Sequence, residues 1–142
     1  MPLEIDPSIL GQEFDRTADD PVSAEHLIAF SKALGETAPC YTQPGPDLIA
    51  HPTYCTRFRG RKFFPPTLPK EFLSHMSFDA GKDVELGEPI RPGDVLTIST
   101  CVHETYEKTG RTGSMTFLVV RTTLTNQRGA HVATIDNRVM YR

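Results

Sequence analysis

Alternation of apolar and polar residues in the second half of the chain is the feature that most restricts its fold. Apolar side chains recur at every second position over much of residues 96–102, and residues 115–124 are rich in β-branched side chains. Such alternation places one face of a strand in a core and the other in solvent. Turn-forming residues separate the apolar runs at 91–94, 108–113 and 126–129. The pattern predicts four antiparallel strands, beginning near residue 83 and ending with residues 131–141.

Two helices are predicted before these strands. Asp20 or Ser23 can cap the first helix, whose apolar residues recur at helical spacing up to Gly35. The second is predicted over residues 67–78, with Thr67 as its cap and an apolar stripe formed by Leu68, Phe72, Leu73 and Met76. Residues 35–66 contain six prolines, so only a short helical turn is predicted there, at residues 47–51. A long irregular segment of this kind is often functional.

Composition and motifs exclude several classes of protein. A chain of 142 residues is expected to form one domain, residues 1–142. No apolar run is long enough to span a membrane and no signal peptide is recognisable, so a cytoplasmic protein is expected. A net charge of −3 argues against nucleic acid or an anionic membrane as partner. The cysteines and histidines show no metal-binding spacing, and no nucleotide-binding motif is present, so neither a metal nor a cofactor is expected.

Charge is unevenly distributed along the chain. Residues 57–70 carry five bases and no acid, whereas residues 1–56 carry nine acids and two bases. The bases of the first cluster are Arg57, Arg59, Arg61, Lys62 and Lys70. If residues 57–61 are extended, alternation places the three arginines on one side and Phe58 on the other. This stretch is either a solvated loop or a site for phosphate groups, which arginine binds through charge-assisted hydrogen bonds.

Five motifs, in order along the chain, resemble those of the MaoC-like dehydratases and R-specific enoyl-CoA hydratases. Gly35-Glu36-Thr37-Ala38-Pro39-Cys40-Tyr41 resembles their G-D-x-N-P-x-H signature. Phe63-Phe64-Pro65-Pro66-Thr67 resembles the entry to their central helix, and Arg91-Pro92-Gly93-Asp94 resembles a turn before a strand. Residues 107–113 and 125–129 resemble their last two hairpins. The resemblance covers residues 8–142 and implies an α+β hot-dog fold, an antiparallel curved sheet wrapped around a central helix.

The resemblance also implies a reaction. In catalytic members the signature Asp and His activate a water that adds to an enoyl thioester carried by coenzyme A or acyl carrier protein. Glu36 and Tyr41 stand at these two positions, so they are the candidate catalytic residues. Glutamate is one methylene longer than aspartate, and a tyrosine is a poor proton carrier at neutral pH. Alternatively, Glu36 is only an exposed carboxylate at the end of a helix, and Tyr41 is only a packing residue.

This departure from the signature favours a heteromeric hydratase or dehydratase. In such enzymes a subunit without the Asp/His pair shapes the acyl channel beside a catalytic MaoC-like subunit. The candidate substrate-binding residues are Arg57, Arg59, Arg61, Lys62, Pro65, Pro66 and Thr67. Hot-dog subunits usually pair through an edge strand, with the active site between them, so a homodimer or a heteromer is expected.

Other functions remain open at this stage. The chain is alternatively a non-catalytic acyl-CoA-binding or structural subunit, or a hot-dog thioesterase using Glu71 or Glu36. A homodimeric hydratase that uses Glu36 and Tyr41 itself is a further alternative. His51 is a candidate proton carrier, although the sequence identifies no carboxylate partner for it. Cys40 lies within the altered signature, but no Cys/His arrangement is visible that would activate its thiol.

Overall fold

Five antiparallel strands form a single sheet in the computed structural model, which describes residues 4–73 and 77–142. The order of the strands across the sheet is β1-β3-β4-β5-β2. Their bounds are Glu13–Ala18 for β1, Ser77–Leu86 for β2, Thr97–Gly110 for β3, Gly113–Thr125 for β4 and His131–Tyr141 for β5. The prediction of antiparallel strands joined by tight turns is confirmed for β3 to β5. The first predicted strand, beginning near residue 83, corresponds only in part to β2, which begins at Ser77. Strand β2 pairs with β5 and not with β3, and residues 87–96 separate it from β3. Strand β1 was not predicted.

The first helix, α1, spans Ala24–Ala33 and agrees with the prediction. Ser23 caps it, because its Oγ accepts a hydrogen bond from the N–H of His26 at 3.2 Å. Gly35 follows the helix with a φ of 78°, a conformation that favours glycine. None of the helices formed by residues 4–73 and 77–142 is long and apolar enough to cross a membrane.

The prediction of a helix over residues 67–78 is wrong. Lys70–Leu73 form a short 3₁₀ helix, while Ser77 and Phe78 already belong to β2 and pair with β5. Of the predicted stripe, Leu68 and Phe72 are buried, whereas Leu73 is 53% exposed. Ser74, His75 and Met76 lie outside the described residues.

The irregular segment contains two other helical turns. They are α2, Pro39–Thr42, and a 3₁₀ helix over Pro52–Arg57. The turn predicted at residues 47–51 is not helical. In both observed turns a proline begins the helix, where its missing N–H has no intrahelical partner to lose.

Two short turns cover the buried face of the sheet, where the sequence predicts one long helix. Tyr54 and Cys55, from Pro52–Arg57, pack with Phe58 near one end of this face. The strand residues of that cluster include Ile98, Leu124, Val132 and Ile135. Phe72, from Lys70–Leu73, lies in a second cluster with Val102, Leu118 and Val120. Cross-strand pairs such as Ile98 with Leu124 and Val102 with Val120 make this face continuous.

A buried carboxylate joins the turns at one end of the sheet. Asp94 is 3% exposed, and its side chain accepts hydrogen bonds from the N–H of Arg91 and from Gln127 Nε2, both at 2.9 Å. The Gln127 side chain in turn accepts from the N–H of Val95 at 3.0 Å. The carbonyl of Asp94 accepts from the N–H of Val22, just before α1. This residue therefore ties together the entry to β3, the β4–β5 turn and the start of α1.

The segment that carries Arg59, Arg61 and Lys62 lies against the β1 edge of the sheet, which Gly60 approaches closely. The N–H of Lys62 donates to Asp15 Oδ2 of β1 at 3.3 Å. A Cβ at Gly60 would collide with the same oxygen and would lie 3.0 Å from Thr100 Oγ1. A side chain at this position would therefore require the Asp15 carboxylate to move and give up its hydrogen bond with Lys62.

We expect Gly60→Ala to lower the free energy of unfolding by about 1–3 kcal/mol, the usual cost of forcing extra volume into a packed site. Thermal unfolding of the single variants and of the Asp15→Ala, Gly60→Ala double variant measures it. Because Asp15→Ala removes the atom that a Cβ would strike, the substitution at Gly60 should cost less in that background. Equal costs in both backgrounds would contradict the contact.

Candidate active site

Glu36 lies directly after α1, where the chain turns into the altered signature. Its Oε1 accepts hydrogen bonds from the N–H groups of Thr37 and Ala38, each at 2.9 Å. These two bonds are the main reason that the pKa of Glu36 lies below the ordinary value of a glutamate, and nearby His51 lowers it further. The carboxylate is therefore ionised at neutral pH, with one oxygen fixed and Oε2 left for another partner.

That partner is His51, which the sequence did not link to any carboxylate. Its Nε2 lies 3.5 Å from Glu36 Oε2. On the other side of the ring, Nδ1 lies 2.8 Å from Thr53 Oγ1 and accepts the backbone N–H of Thr53 at 3.3 Å. A backbone N–H can only donate, so the ring proton of the neutral imidazole sits on Nε2 and faces Glu36.

Two backbone hydrogen bonds bring these distant residues together. The N–H of Ile49 donates to the carbonyl of Cys40 at 2.9 Å, which returns the chain to the end of the signature. The N–H of Ala50 donates to the carbonyl of Ile90 at 2.8 Å, which fixes the position immediately before His51. The histidine then caps the 3₁₀ helix Pro52–Arg57. Backbone hydrogen bonds therefore fix the position of His51, in addition to the packing of its side chain.

The ring of Tyr41 contacts the ring of His51. The two rings meet edge to face with their centroids 5.3 Å apart. Both residues line a cavity of about 120 Å³ whose other walls are mostly apolar. These walls include Ile49, Cys55, Ile90 and Val132, together with the residues at the end of β2, Leu86–Pro89. Tyr41 and His51 are therefore polar groups at the border of a small apolar cavity.

The predicted substrate-binding residues do not converge on one place. Arg57 donates to the Tyr54 hydroxyl at 2.8 Å and lines a cavity beside α1. Arg59 stacks over the ring of Phe63, 4.7 Å from its centroid, and lines a different cavity of about 350 Å³. Arg61 and Lys62 are exposed, as are Pro66 and Thr67, while Pro65 is buried. Of the four basic candidates, Arg57 is hydrogen-bonded to Tyr54, and Arg59 lies beside the larger cavity.

The remaining candidates lie elsewhere. Cys40 is exposed in α2. Glu71 is exposed in the 3₁₀ helix Lys70–Leu73. His103 lies on β3, and His131 on β5 contacts Thr134 Oγ1 at 2.8 Å. Within residues 4–73 and 77–142, no three His, Cys, Asp or Glu side chains are grouped as they would be to bind a metal ion.

Glu36 and His51 together can bind one water. The carboxylate accepts a proton and the imidazole N–H donates one, and the two side chains are 27% and 20% exposed, so both remain reachable. Such a pair is suited to general acid–base chemistry.

We expect the pKa of Glu36, followed by carboxyl carbon NMR, to lie below that of an unstructured glutamate. His51→Ala should raise this pKa only partly, because the two backbone donors remain. Because the pKa is lowered on folding, this carboxylate stabilises the fold above the unfolded pKa, and the contribution is lost as pH falls through the folded pKa. An unchanged pKa of Glu36 in His51→Ala would show that the two side chains do not interact.

Solved structures define the class to which this fold belongs. The MaoC-like dehydratase from Rhodospirillum rubrum superposes with a TM-score of 0.67, 18% identity, and coverage of 93% of this chain and 91% of that one. A C-terminally truncated HadBC (3R-hydroxyacyl-ACP dehydratase) complex from Mycobacterium tuberculosis superposes with a TM-score of 0.68 at 22% identity, covering 93% of this chain and 96% of that one. The expected hot-dog fold is therefore confirmed, although its predicted helix at residues 67–78 is not.

The family is shown by the sequence itself. The model of the FAS1-like dehydratase domain region matches residues 8–135, and the chain belongs to this family. A UPF0336 protein of Streptomyces coelicolor is 24% identical over 99% of this chain and 97% of its own length. The resemblance to MaoC-like dehydratases and R-hydratases is thus confirmed at the level of the family.

Proposed function

We propose that this protein is a subunit of an acyl-thioester hydratase or dehydratase, a hydro-lyase, and that it works paired with a second hot-dog subunit. The second subunit is either another copy of this chain or a catalytic MaoC-like partner. Membership of a dehydratase family supports the type of reaction. A similar fold occurs in the HadBC complex, and this supports a partner subunit. The substrate is an acyl group on coenzyme A or acyl carrier protein.

The observation that carries this proposal is the position of β2. This strand is at one end of the sheet order and pairs with β5 on its inner side. Val84 and Leu86 are 42% and 53% exposed, although each lies opposite a buried residue of β5. Leu86 also lines the cavity of Tyr41 and His51. An edge strand with exposed apolar side chains at the end that borders a polar site suits a second subunit that extends the sheet and completes the site.

The cavity beside Arg59 supports an acyl-binding role. Its volume is about 350 Å³, within the range of small-molecule sites. Its walls combine the aromatic rings of Phe58, Phe63, Phe64 and Phe78 with the bases Arg59, Lys82 and Arg138. An apolar chain and a phosphate-bearing carrier need these two kinds of contact. Lys82 faces Asp79, which also lines the cavity, and Arg138 is paired with Asp83. We therefore place the acyl chain along the aromatic walls and the carrier phosphates at Arg59.

Val84→Glu tests the pairing. A charge on the edge strand should dissociate the assembly, because like charges would face each other or lose solvation in the interface. We expect the mass in solution, measured by light scattering, to fall to that of one chain, and octanoyl-CoA binding, measured by calorimetry, to weaken. Leu10→Glu is the control, since Leu10 is 38% exposed near the opposite edge of the sheet. An intact assembly in Val84→Glu would contradict pairing through β2.

Arg59→Ala tests the site of the carrier. Loss of one charge-assisted hydrogen bond should weaken binding of octanoyl-CoA about tenfold. Binding of octanoyl-pantetheine, which has no phosphate, should not change. Arg111→Ala, at the exposed β3–β4 turn, should leave both affinities unchanged. Equal losses with both thioesters would place Arg59 away from the phosphates, and release of free thiol on incubation would instead indicate a thioesterase.

A further inference from the structure

One row of the buried sheet face is polar, although the rows on either side of it are apolar. Thr100 on β3 lies directly opposite Thr122 on β4, and Asp15 on β1 lies opposite Thr100. Thr100 and Thr122 are only 1% and 4% exposed. The flanking rows pair apolar residues, Ile98 with Leu124 and Val102 with Val120. The polar row therefore carries hydroxyl groups into the core from the partly exposed Asp15 at the edge of the sheet.

The hydroxyl of Thr100 is buried without a partner. Its Oγ1 makes no hydrogen bond within the part of the chain that the structure describes, residues 4–73 and 77–142. Burial of a hydroxyl costs free energy unless the group is hydrogen-bonded again, and buried polar groups of this kind are commonly satisfied by internal water. The side chain of Thr100 therefore indicates a water site inside the molecule.

The neighbours of Thr100 on both sides can share such a water. A Cβ at Gly60 would overlap Asp15 Oδ2 and would lie 3.0 Å from Thr100 Oγ1, so these two oxygens lie near the same point. One water at a hydrogen-bond distance of about 2.8 Å from each can therefore join them. Directly opposite residues of neighbouring strands have Cβ atoms about 5 Å apart, so a second water can join the hydroxyls of Thr100 and Thr122.

The polar row ends at the cavity in which we place the thioester. Thr122 lines the cavity beside Arg59, whose walls include Phe58, Phe63 and Phe64. A hydratase takes up one water in each turnover, and a dehydratase releases one. An acyl chain that fills the aromatic part of the cavity excludes water from that side, because such sites bury most of the surface of their ligand. Water then needs a second way into the cavity.

We propose that Asp15, Thr100 and Thr122 carry water between the β1 edge of the sheet and the cavity beside Arg59, so that water and the acyl chain use different routes. The inference rests on the proposed function, because it needs a thioester in that cavity. It goes further, because it gives a role to three side chains that lie outside the altered signature. These residues move water and take no part in making or breaking bonds.

Nuclear Overhauser contacts between water and threonine methyl groups test the route without requiring turnover. In the wild-type chain with octanoyl-CoA bound, the methyl groups of Thr100 and Thr122 should both show contacts with long-lived water. Thr100→Val should abolish the contact at Thr122 in the octanoyl-CoA complex, because valine keeps the shape of the side chain but has no hydroxyl. In the same variant without octanoyl-CoA the contact at Thr122 should remain, since water then enters through the cavity.

Two further variants control this experiment. Thr100→Ser keeps the hydroxyl, so the contact between water and Thr122 should persist in the octanoyl-CoA complex. Thr123→Val should also leave it unchanged, because the side chain of Thr123 lies on the opposite face of β4. Circular dichroism of each variant separates loss of the contact from misfolding.

Each other result overturns the inference. Absence of a water contact at Thr100 in the wild type would remove the route. A contact at Thr122 that survives Thr100→Val with octanoyl-CoA bound would show that water arrives by another path, while the proposed function would stand. If octanoyl-CoA shifts no resonance of Phe58, Phe63 or Phe64, the proposed function itself fails, and the route has no reaction to serve.

Discussion

The buried carboxylate of Asp94 is the constraint on which the arrangement of this molecule depends. A buried acceptor must be satisfied, and here the donors come from its own turn and from Gln127 in the β4–β5 turn. Ile90 directly precedes the Arg91–Asp94 turn, and its carbonyl accepts a hydrogen bond from the N–H of Ala50. His51 follows at once. The position of a catalytic candidate is therefore set, through two backbone steps, by a polar contact at the end of the sheet.

Local patterns predicted the parts of the fold that local forces decide. The cap of Ser23, the helical spacing after it and Gly35 were sufficient for α1. Alternation and glycine-containing turns were sufficient for β3 to β5. The sequence pattern did not predict the edge strand β1, because its partly exposed residues include Glu13, Asp15 and Arg16, which give no apolar alternation. Its existence depends on pairing with β3, which lies about eighty residues further along the chain.

The helix at residues 67–78 failed for a related reason. Leu68 and Phe72 are buried at a spacing of four, as in a helix, but Leu68 is buried from the turn after Pro65 and Phe72 from the separate 3₁₀ helix Lys70–Leu73. Ser77 and Phe78 instead belong to β2 and pair with β5. The pairing of a strand with a distant neighbour thus overrides a helical pattern in one short segment.

The candidate site was predicted in one half only. Glu36 followed from its place in a motif, whereas its contact with His51 depends on the return of the chain through Ile49 and Ala50, which no local pattern shows. The sequence likewise predicted a single positively charged site that contains both Arg57 and Arg59, because the two residues are close together in the chain. In the structure Arg57 binds Tyr54 and Arg59 stacks on Phe63, because Phe58 is buried between them.

The histidine that faces Glu36 stands on a different segment from the one that bears the signature. The position of a residue in the sequence therefore does not reveal which polar group meets this carboxylate. His51 reaches Glu36 because the chain returns to Cys40 at Ile49. A change in the length of residues 41–48 would then separate the imidazole from the carboxylate while leaving every residue of the altered signature in place.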